Sequence, residues 1–303
     1  MTQHLRPLRG PDEIDLFTTL PYALNTEVAG DLDAGRRRTG WLWVALDDGR
    51  VAARAGFWAP VGDDEPMFLD IFDVAGPADL EVGVRLLETA LATLPARPEY
   101  TRFVPAAWRD DPGARRDVEL RMSALERTGA RLFVERLRLQ WDPGTPVPPD
   151  TGRLRFRPPS GPEELIALMT RVMDGTLDAH GREELTRMTP AEAAHRQYHD
   201  ELVRCPSPQE WWRVAHRPDG TPAGFVIPAH NGYNPIIAYI GVVPDLRGHG
   251  YIDDILAEGT RVLAGRDVPR IRAATDVANA PMAAAFARGG YRVFERQIDM
   301  VWT

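Results

Sequence analysis

The sequence predicts a mixed α/β protein made of two similar domains in tandem. Three observations support this prediction: the length of 303 residues, a proline-rich break near the middle, and the same order of strands and helices in each half. At ~150 residues per domain, the chain is long enough for two domains. The hydrophobic fraction of 44% and the charged fraction of 26% are ordinary for a globular protein and argue against disorder.

The composition disfavours several functional classes. No uncharged apolar run approaches the ~18–20 residues that a membrane span needs. The first residues lack the apolar segment of a signal peptide, so we expect a cytoplasmic protein without a membrane partner. The net charge of −8 and the longest basic run, residues 36–38, disfavour nucleic-acid binding. All 36 basic residues are arginine, which excludes a phosphate-binding loop or a Schiff base that depends on lysine.

A proline- and glycine-rich segment divides the chain. Residues 141–152 contain four prolines and two glycines, a composition that continues neither a helix nor a central strand. The sequence therefore predicts a first domain over residues 1–142, a linker over 143–153 and a second domain over 154–303.

The two halves share sequence features that indicate a duplication. Each opens with a short strand that runs into Gly-Pro and two acidic residues, at 10–13 and at 161–164. Proline suits the first turn of a helix, and acidic residues favour the positive end of its dipole. A Glu-Arg pair follows the last helix of each half, at 135–136 and at 295–296, and Trp141 and Trp302 close the halves.

The elements of the second half are predicted from hydrophobic periodicity and from turn residues. Strands are expected at 154–157, 210–216, 223–230, 236–243 and 270–275, followed by two final strands. Helices are expected at 162–173 and 190–203, from the glycine turn to residue 264, and at 281–288. Helices on both faces of a central mixed sheet are the expected architecture.

The segment 240–256 carries the most informative motif. A buried-looking strand ends at Pro244, and a turn containing Gly248 and Gly250 then opens an amphipathic helix. Glycines allow backbone N–H groups to approach a ligand closely, and the helix dipole adds positive potential. Arg247 contributes a positive charge, so the turn is predicted to hold a pyrophosphate.

This segment resembles the GNAT superfamily of acyl-CoA N-acyltransferases, whose signature is Arg/Gln-x-x-Gly-x-Gly/Ala after a strand ending in Val-x-Pro. Val242, Pro244, Arg247 and Gly250 match the signature, whereas Ile252 stands where the family has Gly or Ala. The resemblance covers residues 154–303. It implies acetyl-CoA as the acyl donor. The residues it assigns to acetyl-CoA are Val242, Val243, Arg247, Gly248, His249, Gly250, Tyr251, Ile252, Asn279 and Phe286.

The resemblance also implies an N-acetyltransferase in which the primary amine of a small molecule attacks the thioester directly, in a ternary complex. The Val242 N–H group would polarise the carbonyl. An amine of pKa ~10.4 needs about 4–5 kcal/mol to release its lone pair at pH 7, so a base matters more than an acid. Asp178 and Tyr239 are the catalytic candidates in the cleft. Further candidates for the base are Asp174, His180, His230 and Asp276.

Phe286 stands where many relatives place a tyrosine as general acid, and this difference weakens the expectation of acid catalysis. His195 and His199 share a helical face but have no third ligand in view, so no metal site is predicted.

The first half keeps the pattern of elements but lacks the glycine turn. Its corresponding strand, 67–72, runs into a segment where Asp73 and Asp79 are expected to repel phosphates. The first domain is therefore predicted to be a degenerate GNAT-like copy, and tandem members of the superfamily such as the mycothiol synthases have a similar layout. The expected assembly is a monomer that imitates a dimer, or a homodimer.

Two other functions remain open at this stage. One is a non-catalytic protein that binds acyl-CoA or another partner, motivated by Phe286, by Ile252 and by the degenerate first half. The other is an acyltransferase with a different acyl donor or a hydroxyl acceptor.

Overall fold

The computed structural model describes residues 3–302, which form two compact units. The first unit contains residues 3–135 and 295–302, and the second contains residues 136–294. Each unit is a mixed α/β structure, as predicted. None of the helices in the described part of the chain is long and apolar enough to cross a membrane.

Twelve strands and nine α-helices lie within the described residues. The strands are β1 Gln3–Pro7, β2 Leu42–Asp47, β3 Arg50–Trp58, β4 Phe68–Val74, β5 Glu99–Pro105, β6 Ala130–Trp141, β7 Arg155–Arg157, β8 Arg213–His216, β9 Pro222–His230, β10 Pro235–Val242, β11 Ile271–Asp276 and β12 Arg292–Trp302. The helices are α1 Ile14–Phe17, α2 Val28–Asp33, α3 Leu80–Leu91, α4 Pro112–Arg127, α5 Pro162–Met173, α6 Ala179–Glu184, α7 Pro190–Arg196, α8 Tyr251–Ala264 and α9 Ala280–Arg288.

The two units repeat one sheet topology, which confirms the predicted duplication. In the first unit, β1 to β4 are antiparallel neighbours in chain order, β5 is parallel to β4, and β12 is antiparallel to β5. In the second unit, β7 to β10 are antiparallel neighbours, β11 is parallel to β10, and β6 is antiparallel to β11.

The strand that completes each sheet differs from the predicted domain division. Residues 136–141 pair with β11 and bury Leu139 and Trp141 in the core of the second unit. Residues 295–300 pair with β5 and bury Ile298 and Met300 in the core of the first unit. The units therefore divide the chain at 135/136 and 294/295 rather than at the proline-rich segment. The two final strands predicted for the second half are one strand, β12.

Helices cover both faces of each sheet. In the second unit, α8 and α9 pack on one face through residues such as Leu256 and Phe286. On the other face, α5 and α7 pack through residues such as Met169 and Ala194. The predicted helix 190–203 is divided: α7 ends at Arg196, and the chain continues as a π-helix over Gln197–Leu202.

The repeated Gly-Pro-acid-acid segments form the same clamp in both units. Glu13 accepts from Arg6 at 2.6 and 2.8 Å and from the Arg9 N–H at 2.8 Å. Glu164 accepts from Arg157 at 2.9 Å and from the Ser160 N–H at 2.7 Å. These hydrogen bonds lower the pKa of each carboxyl to about 2. The second acidic residue of each segment thus closes the connection between the first strand and the helix that follows, beyond the expected interaction with the helix dipole.

Candidate active site

Strands β10 and β11 separate after a single parallel pair. Ile236 pairs with Arg272, and no further pair joins the two strands within the described residues, although β10 continues to Val242. Ala274 is exposed although it lies in a central strand. We call the space between the diverging strands the β10–β11 opening.

The Val242 N–H group points toward this opening. Val243 N–H donates to the Ala223 carbonyl at 3.0 Å, in the antiparallel ladder with β9. Because N–H groups alternate in direction along a strand, Val242 N–H faces away from β9 and toward β11. The location of Val242 therefore suits the predicted role in polarising a carbonyl. The Val243 N–H group is hydrogen-bonded to β9, whereas it was expected to contact acetyl-CoA.

Residues 247–250 form the glycine turn that begins α8. Gly248 and Gly250 have φ of 79° and 76°, a conformation that favours glycine. Gly250 is the N-cap of α8, and no side chain caps the helix. Asp253 N–H donates to the Gly250 carbonyl at 3.2 Å, which leaves the N–H groups of Tyr251 and Ile252 at the open end of the helix. An uncapped helix N-terminus reached through such a turn has the geometry of an anion-binding site.

Arg153 braces the glycine turn, a contact that sequence reasoning missed. Its guanidinium donates to the carbonyls of His249 at 3.0 Å and Gly250 at 3.1 Å, and it pairs with Asp254. Asp253 pairs with Arg288 at 2.7 Å. Both acidic residues in the first turn of α8 are thus neutralised, which reduces their repulsion of an anionic ligand.

Arg247 is exposed, and its guanidinium holds the end of α5. Its guanidinium donates to the carbonyls of Val172 and Asp174, both at 2.7 Å, and its Nε donates to the Val242 carbonyl at 3.2 Å. These bonds join the end of α5 to β10 and to the glycine turn. Arg247 was predicted to bind a phosphate. In the structure its N–H groups donate to backbone carbonyls instead.

Asn279 and Phe286, the two residues of the α9 region that were predicted to contact acetyl-CoA, lie in different environments. Asn279 is the N-cap of α9, and its side chain accepts from the Met282 N–H at 3.3 Å. Phe286 is 1% exposed and packs edge-on against Tyr291, with ring centroids 5.1 Å apart. Phe286 therefore belongs to the core of the second unit rather than to an accessible cofactor surface. The Tyr291 hydroxyl is bonded to Thr260 at 2.8 Å.

Tyr239 lies on β10 and faces the side of the sheet that α5 and α7 cover. It packs edge-on against Phe225 with centroids 5.0 Å apart. Burial raises the pKa of its phenol, and the nearby carboxylates of Asp178 and Glu184 raise it further. Tyr239 is therefore protonated near neutral pH, a state that suits a proton donor better than the base that was predicted.

Asp178 and Asp276 both serve the local fold. Asp178 caps α6 by accepting from the Gly181 N–H at 2.8 Å. Asp276 is 1% exposed, accepts from the Ala179 N–H at 2.6 Å and pairs with Arg136 Nε at 3.1 Å. Burial, followed by the charge of Asp178, raises the pKa of Asp276. A carboxylate so enclosed is a poor candidate for direct contact with an acceptor.

The three remaining candidate bases lie in different places. His180 is in α6 and is half-buried. His230 ends β9 beside the first residue of β10, the end remote from Val242, and accepts from the Gly232 N–H at 3.0 Å. Asp174 follows α5 directly, and its carbonyl accepts from Arg247.

Glu201 is a carboxylate that sequence reasoning missed. It lies on the π-helix and remains accessible to solvent. Desolvation by the surrounding protein raises its pKa, and the charges of Glu184 and Asp178 add to this effect. Glu201 also raises the pKa of Tyr239, which places the two groups in one electrostatic environment. The sequence offered no signal for it, because the π-helix changes the direction in which residues after Arg196 project.

Comparisons with known proteins were informative only at the level of structure. No family model matches the chain, and no curated protein matches its sequence. A GCN5-related N-acetyltransferase from Sphaerobacter thermophilus superposes with a TM-score of 0.60 at 16% identity, covering 98% of this chain and 94% of that one. A tandem GNAT protein from the clavulanic acid biosynthesis pathway superposes with a TM-score of 0.55 at 18% identity, covering 99% and 98%.

A third solved structure contains a GCN5-related glucosamine N-acetyltransferase region of a fungal multi-domain β-N-acetylglucosaminidase. It superposes with a TM-score of 0.60 at 18% identity, covering 99% of this chain and 38% of that one. At these identities the comparisons show the fold, which is the one that the sequence motif predicts.

Proposed function

We propose that this chain, which has the tandem GNAT fold, is an acyl-CoA-dependent N-acyltransferase that transfers an acetyl group from acetyl-CoA to a primary amine of a small molecule. The observation that carries the proposal is the β10–β11 opening beside the uncapped glycine turn of α8. The names of the three similar structures, all N-acetyltransferase or GNAT proteins, support it.

The residues present fit acetyl-CoA. The N–H groups of Tyr251 and Ile252 at the start of α8 suit a pyrophosphate, and Val242 N–H suits a carbonyl oxygen that gains negative charge. Acetyl-CoA supplies an activated acyl carbonyl with a thiolate as its leaving group. Arg153 and Arg247 act as positioning residues, because both donate to carbonyls that flank these amides.

We propose Glu201 as the base that removes the proton of the acceptor's ammonium group, directly or through water. The freed amine nitrogen attacks the acyl carbon and the C–N bond forms. The C–S bond then breaks with its electron pair going to sulfur, and the proton that the nitrogen loses on forming the amide passes to that sulfur or to solvent. A base is most effective when its pKa lies near the working pH, and the pKa of Glu201 is shifted upward in that direction. Tyr239 is the group proposed to donate a hydrogen bond or a proton to the departing sulfur.

Replacement of Gly248 tests the binding site. Valine cannot adopt φ of 79° without strain, so Gly248→Val is expected to displace the turn and weaken acetyl-CoA binding by about tenfold or more, equivalent to about 1.4 kcal/mol. Gly220→Val is the matched control, because Gly220 has φ of 86° and open space around it, as Gly248 does, but lies in the β8–β9 hairpin. Native mass spectrometry or calorimetry with acetyl-CoA gives the answer. Equal binding by both variants would contradict the proposed site.

Replacement of Glu201 tests the base. In the wild type, kcat should fall as the pH is lowered through the raised pKa of Glu201, because the protonated carboxyl accepts no proton. Glu201→Gln should lower kcat by about 10²–10⁴-fold and remove this acidic limb. Asp200→Asn, at an exposed neighbouring position on the π-helix, is the control and should leave the profile unchanged. An unaltered pH profile in Glu201→Gln would remove Glu201 from the mechanism.

The burial of Phe286 favours one alternative, a non-catalytic protein that binds acyl-CoA. The core position leaves no acid at the place where many relatives carry a tyrosine. Release of free CoA in the presence of a panel of amines distinguishes the two functions, since a binding protein releases none. Competition between acetyl-CoA and longer acyl-CoA donors, and a parallel panel of alcohols, tests an enzyme with another donor or a hydroxyl acceptor.

A further inference from the structure

The first unit contains a strand opening like that of the second unit. Strands β4 and β5 pair in parallel only through 68–69 and 99–100, and then separate. Val74 pairs with Ala53, as Val242 pairs with Gly224, so Asp73 occupies the position in β4 that Gly241 occupies in β10. Where the second unit has a glycine, the first unit places a carboxylate.

Three guanidinium groups surround this carboxylate. Asp73 lies 2.7 Å from Arg54 Nη2, 2.8 Å from Arg102 Nη2 and 3.4 Å from Arg121 Nη1. We call these three residues the arginine cluster. Among the described residues, Asp73 is the only carboxylate within ion-pair distance of any of them, which leaves two positive charges in excess. Asp73 was expected to repel a phosphate, and the structure instead places it within a net positive environment.

The two neighbouring phenols do not remove this excess. Arg102 stacks on the Tyr22 ring at 3.2 Å, and burial raises the pKa of Tyr22 and of Tyr100, so both phenols are neutral. The next ion pair of this unit is separate: Arg37 binds Asp70 at 2.6 Å and Asp31 at 3.1 Å.

Two donors of the cluster have no acceptor. The Nε groups of Arg102 and Arg121 are buried and form no hydrogen bond with a described residue. The Arg102 side chain is only 5% exposed, so water satisfies it poorly, whereas the Arg121 side chain is 14% exposed and gives access from outside. Buried guanidinium groups without a counter-charge are costly, and such groups are typical of sites that receive an oxyanion.

We propose that the first unit binds a small oxyanion, a phosphate or a carboxylate, between Arg102 and Arg121. This site is separate from the glycine turn of the second unit. The connection after β4 carries no glycine of positive φ, and its Asp79 is paired with Arg50 at 2.7 Å. The bound anion complements Asp73 in neutralising the arginine cluster.

Thermal unfolding at constant ionic strength tests the proposal. Inorganic phosphate or acetate, each replacing chloride, should raise the unfolding midpoint by several degrees, because a ligand that binds only the folded state stabilises it. The anion that raises the unfolding midpoint more, phosphate or acetate, is the preferred ligand. Arg121→Gln should abolish the rise. Arg115→Gln, at an exposed position of the same helix, should retain it.

Asp73→Asn provides a second readout. Removal of the internal carboxylate should lower the midpoint in chloride and enlarge the rise caused by the anion, since the cluster then has no other counter-charge. Gly248→Val should keep the phosphate effect while losing acetyl-CoA binding, so failure of this site is distinguishable from failure of the proposed function. A midpoint that follows ionic strength alone, or an equal rise in Arg121→Gln, would overturn the proposal. Calorimetric titration of the wild type with phosphate decides the case if a variant does not fold.

Discussion

Arg247 shows how a single side chain connects three elements. Its guanidinium donates to the carbonyls of Val172, Asp174 and Gly175 at the end of α5, and to Val242 on β10. The last carbonyls of a helix have no partner within the helix, and this arginine supplies one. It therefore fixes α5 against the strand that carries the proposed carbonyl donor.

Arg247→Met is expected to lower the free energy of unfolding by about 1–3 kcal/mol, because hydrogen bonds to a charged donor are lost at partly buried carbonyls. Urea denaturation without acetyl-CoA measures the loss. Arg171→Met, which removes only an exposed pair with Asp245 at 3.9 Å, should change stability by less than about 0.5 kcal/mol. Equal stability of the two variants would show that the carbonyl contacts contribute little.

At the level of single residues, the sequence predicted positions better than roles. The glycine turn and the end of β10 were predicted from Val242, Pro244 and Gly250, because proline restricts the backbone and glycine permits conformations that other residues rarely adopt, and both can be recognised from the sequence. The partners of Arg247 and the placement of Glu201 were not predictable, since both depend on how α5 and the π-helix pack against the sheet. No local pattern specifies such tertiary contacts.

At the scale of whole elements, the close packing of helix α5 on strand β10 depends on a glycine in the strand. A Cβ atom added to Gly241 would lie 2.3 Å from Cγ1 of Val172, a distance that requires the helix to shift. Gly224 permits a similar approach between strands, since its Cβ would lie 2.1 Å from the Gly241 carbonyl oxygen. The helix that Arg247 anchors is thus seated on a strand without side chains at the point of contact.

Gly241→Ala is expected to destabilise the protein by about 1–3 kcal/mol through overpacking. Gly30→Ala is the control: Gly30 lies in α2 with no atom within 4 Å of the added Cβ, and alanine there should stabilise the helix by about 0.5–1 kcal/mol. Chemical denaturation of both variants gives the two values. A neutral effect of Gly241→Ala would mean that α5 moves freely at this contact.

The whole molecule is organised by the exchange of its closing strands. Ile298 and Met300, from the end of the chain, are buried in the core of the first unit, and Leu139 and Trp141 are buried in the core of the second. The sequence predicted the duplication through the repeated strands, the Gly-Pro-acid-acid segments and the Glu-Arg pairs. It did not predict the exchange, because the segments after Glu135 and after Glu295 have similar apolar patterns and fit either sheet.

Ile298→Ala is expected to destabilise the first unit by about 2–5 kcal/mol, the usual effect of truncating a fully buried isoleucine. Hydrogen exchange should accelerate in β5, its paired strand, while β10 keeps its protection. Val293→Ala, in the same strand but 39% exposed, should have an effect within about 0.5 kcal/mol. Faster exchange in β10 without a change in β5 would contradict the assignment of residues 295–302 to the first unit.

The exchange of closing strands also sets an order of assembly during synthesis. A ribosome delivers residues 136–294 before residues 295–302, so every strand of the second unit has been translated while the first unit still lacks β12. Until then β5 presents an unpaired edge, a surface prone to association with other chains. The unit whose synthesis begins first is therefore the unit whose sheet receives its final strand last.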